Sequence, residues 1–471
     1  MEHGITDPQM KPNSATSSAR AANTLVCLVG AALPAVTAVQ AQAQEAPAAD
    51  SGSEPRTTGL PDPQRWTFNL DAGYGAFGFN HSLYSNRRAD PSGNLSDNWQ
   101  ESYVKPAVSA DFPLGSGAIF GKLSAVGERT FSAPPPLVGG EASSYDPEDA
   151  YIGWRSGDSL GLGPDALELT VGRAPYKIGH GFLLSDGAGD GGSRGGFWSG
   201  ARKAWKFAGL ARLKTEHNLV EAFFLERDDL PENETGTKLW GGNYELSLGS
   251  EDALTTFGLT YIKAKSSAIA DRDGMSVYDG RIFTTLPFLP NLSFELEYAH
   301  EENGSRLESD AWTAQAAYKF ANLPGSPQLS YRYAFFKGDS PDSSRNEAFD
   351  PLFPGFYDWG TWWQGEIAGE YFLSNSNLVS HQVRLHFTAS DSLGVGLIGY
   401  VFKADQPATF APGVTSHDIG AEVDGYADWK INSHFTASFV LAYADPHTAL
   451  KEGFQRTQSL SYGMAYLTYS Y

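Results

Sequence analysis

The sequence predicts an all-β fold: a single transmembrane antiparallel β-barrel of about 18 strands, with long extracellular loops. The 471-residue chain has 11 Trp, 22 Tyr, 28 Phe and 51 Gly but a single Cys. From Trp66 onward, apolar and polar residues alternate with the period of two that is typical of strands. No apolar run of about 20 residues follows the N-terminal region, so a helical membrane protein is excluded.

The charge balance excludes other classes. The chain carries 34 Lys and Arg against 55 Asp and Glu, a formal net charge of -21. Nucleic-acid binders gain affinity from basic residues that neutralise phosphates, so we expect no nucleic-acid partner. One Cys excludes a disulfide framework and a Cys-built zinc or iron–sulfur site. We expect no cofactor and no resident metal. The alternative that stays open is a Ca²⁺ site built from the oxygen ligands of acidic loop residues, namely Asp186, Asp190, Asp339, Asp342, Glu347 and Asp350.

The N-terminal region predicts export. Basic Lys11 and Arg20 precede the apolar stretch 25–33, and Ala41-Gln42-Ala43 fits the small-residue pattern of a signal-peptide cleavage site. The following residues are rich in Ala, Pro, Ser, Asp and Gly, as in a flexible leader. The predicted organisation is a signal peptide at 1–43, a flexible periplasmic leader at 44–64 and an outer-membrane β-barrel at 65–471. The predicted location is the Gram-negative outer membrane.

The clearest strand is the segment 292–299. Leu292, Phe294, Leu296 and Tyr298 fall on one face, and the serine and glutamates between them fall on the other. A soluble β-sandwich also alternates in this way. Predicted strands of about ten residues, with aromatics near their ends, favour a membrane barrel, because soluble strands average about five or six residues.

Loop lengths set the strand count. Short and long connections alternate, which in bacterial barrels distinguishes periplasmic turns from extracellular loops. The segment Trp362–Phe372 resembles a nineteenth strand, but an odd number would put the two chain ends on opposite sides. We therefore assign 361–378 to a very long extracellular loop that begins at 338. The last strand ends on Tyr471, which resembles the terminal-aromatic signature read by the outer-membrane barrel insertion machinery.

Three short motifs carry a family resemblance. They are Leu169-Thr170-Val171-Gly172-Arg173, the segment Gly200-Ala201-Arg202 and the loop Phe349-Asp350-Pro351-Leu352-Phe353-Pro354. With these motifs the chain resembles the alginate-export (alginate outer-membrane porin) family of 18-stranded barrels, from about Trp66 to the C-terminus. The resemblance implies passive passage of an anionic polysaccharide, or a related organic anion, through an Arg-bearing lumen. The Gly-rich stretch 187–196 and the acidic loops have no counterpart in that pattern.

Charged residues on the polar face of each strand are candidates for selectivity, because charge in a narrow pore selects permeants. Arginine suits carboxylates, since its planar fork binds both oxygens. Arg173 joins the candidates only if it lies beyond its strand end, because it shares the parity of lipid-facing Leu169. The predicted pore-lining residues are Arg173, Arg202, Lys206, Arg212, Arg281, Arg332, Arg384, Lys105 and Lys122. Acidic residues share this face, so many of these bases are expected to pair across strands.

Several alternatives stay open from the sequence. Residues 187–192 match G-x-G-x-x-G, but no helix follows, so we expect a flexible loop that folds into the barrel mouth. No catalytic motif is present, and we expect a protein that is not an enzyme. The permeant is expected to be an anionic saccharide or a small organic carboxylate, and a non-conducting structural or adhesive barrel is the remaining reading. Periplasmic export or uptake proteins are further expected partners, with the direction of transport left open.

Overall fold

The computed structural model describes residues 65–80, 97–134, 140–250, 253–355, 364–454 and 458–471. The predicted signal peptide at 1–43 and the leader at 44–64 lie outside the described residues. Within the described chain, no helix is both long and apolar enough to span a membrane.

Eighteen strands form one closed antiparallel sheet, which confirms the predicted fold class. Each strand pairs with the next along the chain, and β1 also pairs with β18 to close the barrel. The strands are β1 Arg65–Asn80, β2 Asp97–Leu114, β3 Gly117–Ala133, β4 Ala142–Arg155, β5 Leu167–Arg173, β6 Phe207–Lys214, β7 Asn218–Glu226, β8 Lys238–Leu248, β9 Thr255–Ser266, β10 Ser276–Leu286, β11 Leu289–Asn303, β12 Leu307–Lys319, β13 Gln328–Phe336, β14 Leu378–Ser390, β15 Leu393–Lys403, β16 Asp418–Lys430, β17 Phe435–Pro446 and β18 Leu460–Ser470.

Helical turns occur in the connections. Within the described ranges they are a 3-10 turn at Pro231–Asn233, a π-helical turn at Gly365–Gly369, α1 at Pro407–Phe410 and α2 at Thr448–Phe454. All four lie at the same end of the barrel, which we call the long-loop end; the opposite end is the short-turn end. Two connections depart from the expected lengths: residues 156–166 at the short-turn end and residues 304–306 at the long-loop end.

The long connection between β13 and β14 agrees with the strand count. Residues 337–377 separate the two strands, and Gln364 to Phe372 contains the π-helical turn instead of a strand. Glycine at the first position of that turn, Gly365, adopts a φ of +95°, which lies outside the extended region typical of strands. Of the strand-like segment Trp362–Phe372, residues 362–363 lie outside the described residues, and Ile367, Ala368 and Tyr371 are buried inside the barrel.

Period-two alternation places one face of each strand inward and the other outward. On β11, Glu297 and Glu301 are buried in the interior, while Leu296 and Tyr298 on the alternate positions are 46% and 44% exposed on the outside. The outer surface is apolar on other strands too, with Leu259 and Leu441 among its most exposed residues. This arrangement is that of a barrel whose outer face meets lipid.

Candidate functional site

Two loops from the long-loop end fold into the barrel and pack against its inner wall. The first inner segment is residues 174–206, between β5 and β6. The second inner segment is residues 337–355 and 364–377, between β13 and β14. Trp198 and Trp205 of the first, and Phe353, Ile367 and Tyr371 of the second, are at most 2% exposed. The barrel interior thus has a core of its own.

Glutamates on three neighbouring strands hold the first inner segment by its backbone. On β2, β3 and β4 they accept hydrogen bonds from successive N–H groups: Glu101 from Trp198 and Ser199 (both 2.8 Å), Glu128 from Ala201 (2.9 Å), and Glu148 from Lys203 (2.6 Å) and Ala204 (3.0 Å). We call Glu101, Glu128 and Glu148 the glutamate clamp. Charged acceptors make stronger hydrogen bonds than neutral ones. Sequence reasoning missed these three residues, because inward parity alone does not distinguish a clamp from a pore-lining acid.

Acids on β16 hold the second inner segment in the same way. Glu422 accepts hydrogen bonds from the N–H groups of Ile367 (2.7 Å) and Ala368 (2.8 Å), and Asp424 accepts one from Glu366 (3.1 Å). A Cβ atom at Gly365 would lie only 2.7 Å from Oε1 of Glu422. The positive φ of this residue and its close approach to the barrel wall are both possible because glycine has no side chain.

The Phe349–Pro354 motif links the second inner segment to two other loops. Asp350 forms a two-point ion pair with Arg272, with Oδ2 to Nε at 2.7 Å. The ring of Phe353 contacts two guanidinium groups, those of Arg227 at 4.6 Å and Arg272 at 5.0 Å from the ring centroid. Cation–π contacts of this kind gain strength when they are desolvated. The motif therefore fixes the second segment inside the barrel.

A chain of polar side chains crosses the inner wall from β6 to β10. Arg212 donates to Glu221 (2.8 Å), Asn243 donates to the same carboxylate (2.8 Å), and Arg281 donates to Asn243 and to Asp279 (2.6 Å). We call this row the polar belt. Arg281 is fully enclosed in it, whereas the Arg212 side chain is 39% exposed. The belt thus presents Arg212 as its accessible guanidinium.

Two predicted pore-lining residues have different positions from those expected. Arg202 and Lys206 were placed on a strand by parity, but β6 begins only at Phe207. Arg202 lies in the first inner segment with a fully buried side chain, paired with Glu128, with Asp190 at 3.0 Å and with Asp146 at 2.9 Å. Lys206 lies at the long-loop end, half exposed. Parity failed because it assumes extended backbone.

Arg173 is the last residue of β5, at the rim instead of beyond the strand. The preceding Gly172 has a φ of +129°, which breaks the alternation. The Arg173 side chain donates to the carbonyl oxygen of Glu148 (2.8 Å) and pairs with Asp228. Burial alone would raise the pKa of Asp228, but the contacts with Arg173 and Arg194 lower it below its ordinary value.

The other predicted bases lie on the inner wall, on separate strands. Lys105 donates to the carbonyl oxygen of Ala201 (3.1 Å), and Lys122 pairs with Asp149 (2.9 Å). Arg332 on β13 is 2% exposed. Arg384 on β14 is partly exposed, and its Nε donates to the Tyr426 hydroxyl (3.1 Å). The structure therefore distributes these bases around the barrel instead of gathering them in one cluster.

The inner segments carry buried acids. Burial raises the pKa of Asp186, and it raises the pKa of Asp190 and of Glu366 well above their ordinary values. Burial also lowers the pKa of Arg202 to about 10, which leaves it charged at neutral pH. Among the described residues, no group of three or more His, Cys, Asp or Glu side chains is placed to hold a metal ion.

Fold and interior together define a closed eighteen-stranded antiparallel β-barrel with an apolar outer face and two inward-folded loops. Residues 276–460 match the model of the family described as "Alginate export". This match confirms the family resemblance over that part of the chain. The Phe349–Pro354 motif lies within it; the Leu169–Arg173 and Gly200–Arg202 motifs lie outside.

Solved structures share the fold at low sequence identity. OccAB2 of Acinetobacter baumannii aligns with a TM-score of 0.56 at 12% identity, covering 86% of this chain and 98% of that one. OccAB1 of the same organism gives 0.55 at 10%, covering 86% and 96%. A BenF-like porin from Pseudomonas fluorescens Pf-5 gives 0.55 at 11%, covering 86% and 98%. A search among curated proteins finds no match to the chain.

Proposed function

We propose that this protein is a non-enzymatic channel of the Gram-negative outer membrane that passes an anionic polysaccharide, or its oligomers, of the alginate-like uronate type. The observation that carries the proposal is the pair of accessible guanidinium groups on the inward face of β6 and β14, Arg212 and Arg384. The planar fork of arginine matches a carboxylate, the charged group of every uronate residue. The "Alginate export" description of the matching family supports a uronate over other anions.

The accessible guanidiniums make the contacts in this proposal. Arg212 and Arg384 are partly exposed inside the barrel, whereas Arg202 and Arg281 are enclosed by carboxylates. An enclosed arginine has its charge compensated and its donors occupied. We therefore assign Arg212 and Arg384 to permeant contact, and Arg202 and Arg281 to holding the interior in shape.

Partners follow from the same placement. The apolar outer face meets membrane lipid, and the C-terminal Tyr471 is proposed as the contact for the barrel insertion machinery. Periplasmic proteins that deliver or receive the polysaccharide are proposed at the short-turn end, which faces the periplasm in this orientation.

The decisive experiment is single-channel recording in planar bilayers. Conductance and reversal potential are measured with and without uronate oligomers, and again with monomeric uronate. We expect anion preference and a block that deepens with oligomer length. Equal block by monomer and oligomer would instead favour a small-carboxylate channel, and zero conductance would favour a structural or adhesive barrel.

Matched variants connect the block to the proposed residues. Arg212→Gln and Arg384→Gln are each expected to weaken block several-fold. Arg129→Gln is the control, because Arg129 on β3 is exposed on the outward face. Equal block in all three variants would overturn the assignment of Arg212 and Arg384.

A further inference from the structure

Four lysines lie close together on the outer side of the barrel at its long-loop end. Lys206 immediately precedes β6, Lys238 begins β8, and Lys263 and Lys265 lie near the end of β9. We call these four residues the lysine patch. Lys238 is opposite Glu226 in the β7–β8 register, and Lys263 is opposite Trp240 in the β8–β9 register. Neighbouring strands are about 4.8 Å apart, so the lysines occupy one continuous surface.

The alternation of these strands directs the patch away from the barrel interior. Leu225, Leu239 and Ile262, at the intervening positions, are at most 1% exposed and face the interior core. Trp240, which shares the face of Lys238, is 45% exposed. Lys265 is exposed, with its ammonium nitrogen 5.9 Å from the ring centroid of Phe224. The patch therefore belongs to the surface that meets the membrane.

A band of aromatic rings borders the patch. The ring centroids of Phe207 and Phe224 are 6.1 Å apart. Trp240, Tyr261 and Tyr278 form a row in which neighbouring ring centroids are 5.7 and 5.4 Å apart. Aromatic residues concentrate where the hydrocarbon core of a membrane meets its headgroups. The lysines extend from this band toward the long loops, which is the depth of the lipid headgroups.

The charge of the patch is unusual for this chain. Glu226 pairs with both Lys206 (3.3 Å) and Lys238 (3.2 Å), and Glu234 pairs with Lys206 (3.2 Å). Four lysines against these two glutamates leave an excess of positive charge in a protein whose net charge is -21. Elsewhere the outward face at this end carries acids such as Glu302, Asp310 and Asp445. In the β6–β9 sector, by contrast, the lysines outnumber the glutamates with which they pair.

Lys263 is held in place within the patch. Its ammonium group donates to the carbonyl oxygen of Gly274 (2.6 Å) and to the hydroxyl of Ser276 (3.0 Å). The shared carboxylate of Glu226 likewise holds Lys206 and Lys238 side by side. Three of the four ammonium groups are therefore positioned before any ligand arrives, which reduces the entropy lost on binding.

We propose that the lysine patch binds the phosphate groups of a phosphorylated lipid headgroup in the leaflet at the long-loop end. Ammonium groups attract phosphate as point charges, and lysines at the headgroup level of a barrel have this ligand within reach. The aromatic band beside the patch supplies an apolar surface for the acyl chains. The inference rests on the membrane placement stated under Proposed function and is independent of what the pore conducts.

The test compares two triple variants of the full-length barrel. The patch variant carries Lys238→Gln, Lys263→Gln and Lys265→Gln. The control variant carries Lys214→Gln, Lys319→Gln and Lys430→Gln, which removes the same charge from three exposed lysines at the short-turn end. Binding of diphosphoryl lipid A to each purified protein in detergent is measured by native mass spectrometry, with dephosphorylated lipid A as the reference.

We expect the wild type and the control variant to prefer the diphosphoryl form, and the patch variant to bind it at least five-fold more weakly. Equal weakening in both variants, or no preference for phosphate in the wild type, overturns the proposal. Loss of lipid binding in the presence of equimolar inorganic pyrophosphate would also overturn the proposal, because the patch would then bind free phosphate without needing the lipid. Bilayer conductance separates this proposal from the proposed function. The patch variant should conduct like the wild type. If the protein is not a channel, neither the wild type nor either triple variant will conduct.

Discussion

The indole nitrogen of Trp198 donates a hydrogen bond to Oε1 of Glu366 at 3.2 Å, which joins the two inner segments inside the barrel. Trp198 is held by Glu101 from the wall of β2, and the N–H group of Glu366 donates to Asp424 on β16. The two inner segments are therefore connected to each other and, separately, to the inner wall at β2 and at β16. Loosening either residue is expected to affect both loops.

The first prediction concerns pH. Burial raises the pKa of Glu366 well above its ordinary value of 4.5, and neighbouring Glu370, Asp424 and Glu422 raise it further. A released loop would expose this carboxyl and restore the ordinary value. The stabilisation of the inner position is therefore complete below about pH 4.5 and declines as pH rises through the elevated pKa. Single-channel recordings should show more frequent current fluctuations at pH 8 than at pH 5.

The variant Glu366→Gln tests this assignment, because it keeps the shape and removes the titration. We expect its fluctuations to change less between pH 5 and pH 8 than those of the wild type. Glu216→Gln, which changes an exposed glutamate in the turn between β6 and β7, away from both inner segments, serves as the control and should keep the wild-type pH dependence. An unaltered pH dependence in Glu366→Gln would count against Glu366.

The second prediction concerns the glutamate clamp. Glu101→Ala leaves the N–H groups of Trp198 and Ser199 and the indole nitrogen of Trp99 without their shared acceptor. A buried donor left unsatisfied costs about 1–3 kcal/mol. We expect faster cleavage within 174–206 by an added protease, with the barrel itself intact on a gel. Cleavage at the wild-type rate would mean that the other clamp residues suffice.

The third prediction concerns Arg202. Its buried guanidinium compensates Glu128 and Asp190, which are themselves buried. Removal of one partner from a buried ion pair costs about 3–5 kcal/mol. Arg202→Met should lower the temperature at which the folded barrel loses its compact gel mobility. A variant that loses uronate block at full thermal stability would instead make Arg202 a permeant contact, as the sequence prediction had it.

The fourth prediction concerns Arg332 and Arg384, which the sequence ranked among the foremost permeant contacts. Replacing both by alanine should weaken block by uronate oligomers only slightly more than Arg384→Ala alone. Since Arg332 is only 2% exposed, we expect most of the effect from Arg384. Block curves for the single and double variants measure the difference, and unchanged block in the double variant would remove both residues from the pore site.

The outer wall was predictable from sequence, while its contents were not. Period two and the length of connections are local properties, so 18 strands and the inward face of Glu297 and Arg281 follow from counting along the chain. The role of Glu101 depends on a segment about a hundred residues away, which local pattern does not show. Arg202 illustrates the limit: its neighbours resemble a strand entrance, and only the tertiary contacts with Glu128 and Asp190 reveal a folded loop.

The glutamate clamp binds backbone N–H groups of the first inner segment and does not depend on the identity of the side chains there. Every residue except proline carries the N–H group that Glu101, Glu128 and Glu148 bind. Substitutions along 198–204 can therefore alter the chemistry presented inside the barrel while the attachment to the wall stays the same. In such a barrel the contacts that anchor the interior loop are independent of the side chains that contact a permeant. The two sets of residues can therefore diverge separately.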